Sequence, residues 1–544
     1  MSKFNTSTVS ARNGEGVIKT TGETTLNAKG AVGFVRDEKS ELFLSCVSDF
    51  VENSFYESAA ARQTRVRALV TKIAVADPEW ITAFTSWLRD SAQMRSISLV
   101  VALEAADALR KAGIAGGRKV VSSALSRADE PGEALAYWTS QKGRKIPAAV
   151  KRGISDAAVR LYNEYSVAKY DSDSKGFTIP DVIKLVHPAP KDLKQAVLFK
   201  HAMERRFDSS TPVPEELTML TERKKYLSMG NDDLRNLLRS EAGSNALKSA
   251  GLTWEAIAGK VGLDAGIWEA LIPNMGYMAL IRNLRNFEKE GVSDVVLDEV
   301  ARRLADPDEV AKSRQLPFRF LSAYNAVNGI TYDYYGGRTS SGAGSLRFGY
   351  PLEKALNASL ANVPALKGKT LILVDRSASM FGNAGKNGLN LADTAAIFGT
   401  ALAIRSEDAT LVQYGSTDKI VDFTKRSSVL KTLETFENLG GTATFDTLKK
   451  HYNKSYDRVI ILTDEQYDVD GSAYSRTGGW GSVRVKADIV DQKTPFYVWN
   501  LGGYATGQME NKSNRYTFGG LSDQSFKLIP LLEAGYDQSW PWEA

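Results

Sequence analysis

The chain has 544 residues, of which 43% are apolar and 24% charged, and a net charge of +5. It is too long for one core, so two to four domains of ordinary globular composition are expected. Cys46 is the lone cysteine, which excludes an intrachain disulfide, and the lack of any run of about 18 apolar residues argues against a membrane span. The N-terminus is polar, with no apolar signal segment, so a cytoplasmic location is the expectation. Charge is unevenly placed. Residues 1–369 hold 51 Lys and Arg against 43 Asp and Glu, the remainder 18 against 21, and residues 101–200 alone carry 17 basic and 11 acidic side chains. That asymmetry suggests an anionic partner for the first part of the chain.

Residues 1–40, rich in Thr, Gly and Lys, read as an N-terminal arm partly ordered against the body. From about Glu41 to Asn328 the pattern is helical. Asp77-Pro78-Glu79 predicts a helix start: an N-cap acid, Pro at the first position and a first-turn acid. Trp80, Phe84, Trp87 and Leu88 then recur at helical spacing as core, and Cys46 reads as core too. Ile179-Pro180, Pro214-Glu215-Glu216 and Asp306-Pro307 mark further expected starts. Short helices with short breaks suggest stacked hairpins, each burying one face against the next. Residues 329–350 are rich in Gly, Tyr and Ser and read as a connector. After Lys367, strands at Leu371–Val374, Ala409–Tyr414, Arg458–Leu462 and Phe496–Asn500 alternate with helices at Leu389–Ile404 and Phe445–Tyr452. This predicts a doubly wound α/β domain with its ligand loops at the carboxyl ends of the strands. The expected division is 1–40, 41–350 and 351–544.

Three stretches of that last domain carry chemistry. Leu371–Val374 ends at Asp375, followed by Ser377 and Ser379 in a D-x-S-x-S pattern. Leu439-Gly440-Gly441-Thr442 lets a loop approach closely and present a hydroxyl, and Val459–Thr463 is a second apolar strand ending at Asp464. Carboxylate and hydroxyl oxygens suit a hard divalent cation such as Mg²⁺. In the bland alternative the serines merely cap the next helix. Together the stretches resemble the metal-ion-dependent adhesion site of a von Willebrand factor A domain. That resemblance implies Asp375, Ser377, Ser379, Thr442 and Asp464 as the metal residues. Two positions depart from the pattern: Arg376 is a bulky cation beside the loop, and Ala443 stands where an Asp is common.

The helical part followed by such a domain resembles the Ro autoantigen (TROVE) family. The pieces are Ile183-Lys184-Leu185-Val186-His187-Pro188-Ala189-Pro190, Trp268-Glu269-Ala270-Leu271, Met278-Ala279-Leu280-Ile281-Arg282-Asn283-Leu284, Leu316-Pro317-Phe318 and Asp375-Arg376-Ser377-Ala378-Ser379-Met380. The resemblance implies a monomeric ring of HEAT-like helical repeats closed by the A domain. It implies small structured Y-like RNAs on the outer surface and single-stranded 3′ ends of misfolded RNA in the hole. An exoribonuclease partner is a further implication.

The candidate RNA contacts are Lys142, Arg144, Lys145, Lys151 and Arg152, then Lys184, His187, Lys191 and Lys194. Lys and Arg supply phosphate contacts without reading sequence. His187 precedes Pro188, ends its helix, and could meet a phosphate or stack on a base. The alternatives are a solvated helix face for the cations and a backbone-satisfied helix end for His187, while His201 reads equally well as structural. Three histidines and one cysteine leave little for nucleophilic or zinc chemistry, so an enzyme is not expected. Asp464, Glu465 and Asp468 invite a metal-dependent hydrolase reading, but it leaves both loop serines without a role. A metal-dependent protein-interaction module without RNA is the competing reading.

Overall fold

The computed structural model describes residues 18–26, 32–47, 59–92, 94–171, 176–313, 315, 317–332, 338–340, 345–359, 363, 365–381, 389–425, 428–466, 489–504, 506–507, 514–519, 529, 533, 540 and 542–543. The chain divides into two units. One joins Met1–Leu69 to Ala305–Ala544, and the other is Val70–Leu304. Among the described residues no helix is long and apolar enough to cross a membrane.

The first unit holds eleven described strands: β1 (Thr20–Leu26), β2 (Val32–Arg36), β3 (Ile330–Tyr332), β4 (Arg338–Ser340), β5 (Leu366–Asp375), β6 (Ser406–Tyr414), β7 (Asp418–Ile420), β8 (Arg458–Thr463), β9 (Phe496–Asn500), β10 (Thr506–Gly507) and β11 (Arg515–Gly519). The main sheet has the order β11-β9-β8-β5-β6-β7, parallel throughout except for the β6–β7 edge pair. Alternation along β5 assigns its two faces. Leu371 and Leu373 join Val412, Val459, Ile461 and Val498 around Leu448 of the Thr444–His451 helix. Val374 faces the other way, where the Leu391–Arg405 helix approaches so closely that a Cβ on Gly399 would meet Val374 at 2.5 Å. Helices on both faces of a parallel sheet make this domain doubly wound. The four expected strands and two expected helices are present, Phe496–Asn500 with the expected bounds and the others extended by a few residues or shifted by one or two.

The N-terminal segment is more than an arm. β1 pairs antiparallel with β2, and β2 pairs with β10. The Glu38–Val47 helix follows and packs Leu44 and Val47 against Gly519 of β11. Cys46 is fully buried in that helix, and burial pushes its thiol up. In the connector, β3 pairs with β4; Gly336, Gly337 and Gly342–Gly344 lie outside the described residues.

The second unit is helical, with no strand among its described residues. Its starts follow from local chemistry. Asp77 accepts the Trp80 N–H at 3.0 Å ahead of the Pro78–Asp90 helix, and Thr178 with Asp181 forms a capping box ahead of Ile179–Val186. Trp80, Phe84, Trp87 and Leu88 are all buried, as their spacing requires. One expected start is corrected. Pro214 opens a turn closed by the Leu217 N–H on its carbonyl, and the helix begins at Thr218. Proline fixes φ near −65°, a value that turns and helix starts share, so the Pro-Glu-Glu signal could not separate them.

Candidate metal centre and nucleic-acid interface

β5 lies between β6 and β8, so the chain reverses its strand order there and leaves a crevice beyond its carboxyl end. Asp375 is the last residue of β5, and Asp464 immediately follows the neighbouring parallel strand β8. The Asp375 carboxylate accepts the Ser377 N–H at 2.8 Å and the Thr463 hydroxyl at 2.6 Å. The Ser377 and Ser379 hydroxyls are 3.2 Å apart. Ser377 bridges to Gly440, with Ala378 donating to the Gly440 carbonyl at 2.6 Å and Leu439 to that of Arg376 at 2.9 Å. Thr442 stands two residues past that bridge. Gly440 holds φ 81°, and a Cβ on Gly415 would lie 2.5 Å from Leu439, so this packing of loops needs glycine at both places.

Asp375, Ser377, Ser379, Thr442 and Asp464 are each 4% exposed or less. Two carboxylates and three hydroxyls at one end of two adjacent strands form an oxygen-only set, the chemistry that Mg²⁺ takes rather than Zn²⁺. Among the described residues no cluster of three His, Cys, Asp or Glu offers another metal site. The Tyr414 phenol is pushed well up, first by burial and then by the Asp375 charge, with Asp464 adding to it. Both carboxylates thus act on one buried point.

Arg376 does not crowd this set. Its guanidinium stacks on Phe381 and Phe436, 4.5 and 5.5 Å from the ring centres, donates to the Glu437 carbonyl and lies 3.6 Å from Asp393. Ala443 occupies the N-cap of Thr444–His451 and supplies no side-chain cap. Glu465 was legible only as a second acid. It adopts φ 63° and its carboxylate is buried against Arg36 of β2 and the Asn500 amide. This ion pair, not a second metal, accounts for Glu465; Asp468 lies outside the described residues.

The eight basic RNA candidates fall into two groups, and His187 stands apart. Lys142, ending the Glu130–Lys142 helix, bonds Glu104 at 2.6 Å and sits 3.5 Å from Asp107, while Lys194 bonds Glu164 at 2.7 Å. Both acids of the Lys142 pair are nearly buried, so that ammonium belongs to the fold. Arg144, Lys145, Lys151, Arg152, Lys184 and Lys191 have no carboxylate partner among the described residues. Arg144 and Lys145 occupy the loop before Ala148–Leu161, near whose start lie Lys151 and Arg152. His187 caps Ile179–Val186 in the left-handed region, with φ 49° and ψ 61°, and is exposed. Its backbone N–H is satisfied by the Ile183 carbonyl at 3.0 Å, so that donor does not call on the ring. His201 is 2% exposed, and burial lowers its pKa, as a structural histidine requires.

Residues 231–335 match the TROVE domain family model. Telomerase protein component 1 of Mus musculus is 40% identical over 78 residues, 14% of this chain and 3% of that protein. The Rattus norvegicus protein of the same name is 37% identical over 91 residues, 16% of this chain and 4% of its own length. The match therefore spans a small fraction of those relatives. The crystal structure of the Deinococcus radiodurans Ro (RSR) protein superposes with a TM-score of 0.62 at 19% identity, covering 92% of this chain and all of that one.

Proposed function

From a chain that carries a TROVE segment and has the fold of a Ro protein, we propose an RNA-binding scaffold of Ro type. The observation that carries this reading is a set of cations with no carboxylate partner among the described residues: Arg144, Lys145, Arg152, Lys184 and Lys191, all exposed, with Lys151 half-buried beside them. Cations that stabilise nothing internally are free to replace counterions along a phosphate backbone. His187 adds an exposed ring in the same stretch of helices. The ligands we propose are small structured, Y-like RNAs and the single-stranded 3′ ends of misfolded RNA. An exoribonuclease acting on the bound RNA is part of the same proposal, as is a cytoplasmic setting.

The doubly wound domain is proposed to hold Mg²⁺ through Asp375, Ser377, Ser379, Thr442 and Asp464. The ion would supply a positive centre able to take one further oxygen ligand from a partner. The competing module, docking a partner's carboxylate through this ion without RNA, draws on the same donor set.

The test is a variant with Gln at Arg144, Lys145, Lys151 and Arg152. Lys142 is excluded because its loss disturbs Glu104 and Asp107. Each single-strand phosphate contact contributes roughly −0.7 to the slope of log K against log salt, so losing four flattens it by about 2–3. Equal affinity and equal slope in gel shifts would move the assignment to the protein-interaction module.

A further inference from the structure

We propose that Phe207 is a stacking platform for one unpaired base, with the Lys184 ammonium beside it for the adjoining phosphate. This rests on the RNA-binding reading above and adds to it a residue type that none of the basic candidates supplies. Phe207 ends the Leu193–Phe207 helix, which buries Leu198, Phe199 and Ala202 but leaves this ring 76% exposed. An exposed apolar side chain alone means little. Here a second observation accompanies it: Lys184 Nζ lies 5.9 Å from the ring centre. A cation within about 6 Å of an aromatic face is attracted to it.

The neighbouring charges make Lys184 available. Asp181, one turn before it, is taken by Arg206 at 3.2 Å. The Asp208 carboxylate turns onto the Ser210 N–H and hydroxyl, at 2.9 and 2.6 Å, and those bonds lower its pKa. Exposed His187 comes three residues after Lys184, about 4.5 Å further along the helix axis. An aromatic face, an ammonium with no carboxylate partner among the described residues and a second ring in succession match the alternation of base and phosphate along a single strand.

A protein partner is the poorer fit. Leu193, the other strongly exposed apolar residue of that helix, is 14 positions away, about 21 Å along the axis. The two therefore form no continuous apolar patch of the kind protein docking uses.

The experiment uses the full chain and a single-stranded RNA 12-mer carrying one 2-aminopurine, read by anisotropy and by fluorescence quenching at several salt concentrations. Phe207→Leu keeps the bulk and removes the π face; Phe207→Trp enlarges it. The expected result is an affinity loss of about 5- to 150-fold for Phe207→Leu, the span of one base stack, with relief of quenching and an unchanged salt slope. Phe207→Trp retains both affinity and quenching. Wild-type affinity and quenching in Phe207→Leu would overturn the platform while leaving RNA binding in place, and would assign the ring to a protein partner. Absence of any RNA binding by the wild type would overturn both readings at once.

Discussion

Lys142 shows how one cation in a basic run can differ from its neighbours. Asp107, beside it, feels burial most strongly, yet hydrogen bonds from Lys111 and Arg110 and the charges of Lys111 and Lys142 bring its pKa below the ordinary value. A carboxyl held low stabilises the fold fully above its unfolded value, about 3.9, and loses that contribution as pH falls through the lowered one. Lys142→Gln removes one of the cations. It should cost about 1–3 kcal/mol at neutral pH and move the acid-unfolding midpoint upward, as circular dichroism against pH would record. His187 makes the opposite case. Its φ of 49° favours glycine, so His187→Gly should leave thermal stability equal or raise it by about 1 kcal/mol while weakening RNA binding. A loss of stability in that variant would assign the ring a role in the fold. At the metal set, Ser379→Ala removes a hydroxyl that lies 3.2 Å from that of Ser377 but spares the bonds on Asp375. It should abolish or sharply weaken Mn²⁺ binding in calorimetry with the thermal transition kept; unchanged binding would count against the assignment. The D-x-S-x-S spacing made these oxygens legible. The partner of Lys142 was not, because Glu104 lies 38 positions away and no local pattern links them.

At the scale of elements, the sheet was legible because its strands are apolar runs ending in acids, and a one-residue slip would carry Leu371 and Leu373 to the wrong face. β1 and β2 escaped notice: β1 is exposed along nearly its whole length, and the second partner of β2 is a two-residue strand about 470 positions on. Their attachment is electrostatic as well as hydrogen-bonded. Arg36 donates to the Tyr504 carbonyl at 2.7 Å and pairs with Glu465, both side chains 1% exposed or less. Breaking a buried pair from one side strands the other charge. Arg36→Met should therefore cost about 3–5 kcal/mol in urea unfolding, and adding Glu465→Gln should recover part of it. Additive losses would mean that the two groups stabilise the fold independently. The pair also ties the turn that carries Asp464 and Glu465 to β2, so a strand from the N-terminal segment helps to fix a candidate metal residue.

At the scale of the molecule, the first unit is made from both ends of the sequence, with Val70–Leu304 inserted between them. A chain cut near Gly349 would keep β2 and the Glu38–Val47 helix but lose β10, β11, Glu465 and the Trp540 and Trp542 rings that lie 5.4 and 6.3 Å from Phe43. It should aggregate or lose the cooperative transition of this unit, which size-exclusion chromatography and calorimetry would record. A monodisperse fragment with an unchanged transition would show that the N-terminal segment folds without those partners.

The distance between Arg36 and Tyr504 also sets a delay during synthesis. They are 468 positions apart, and a ribosome adding about 5–20 residues per second needs on the order of half a minute to a minute and a half to cover that stretch. Throughout it, Phe34, Leu42, Phe43 and Leu44, all buried in the finished protein, have emerged without the strands and rings that cover them. The nascent chain thus carries an uncovered apolar segment while the inserted helices form, a transient exposure of the kind that favours aggregation until the last strands arrive.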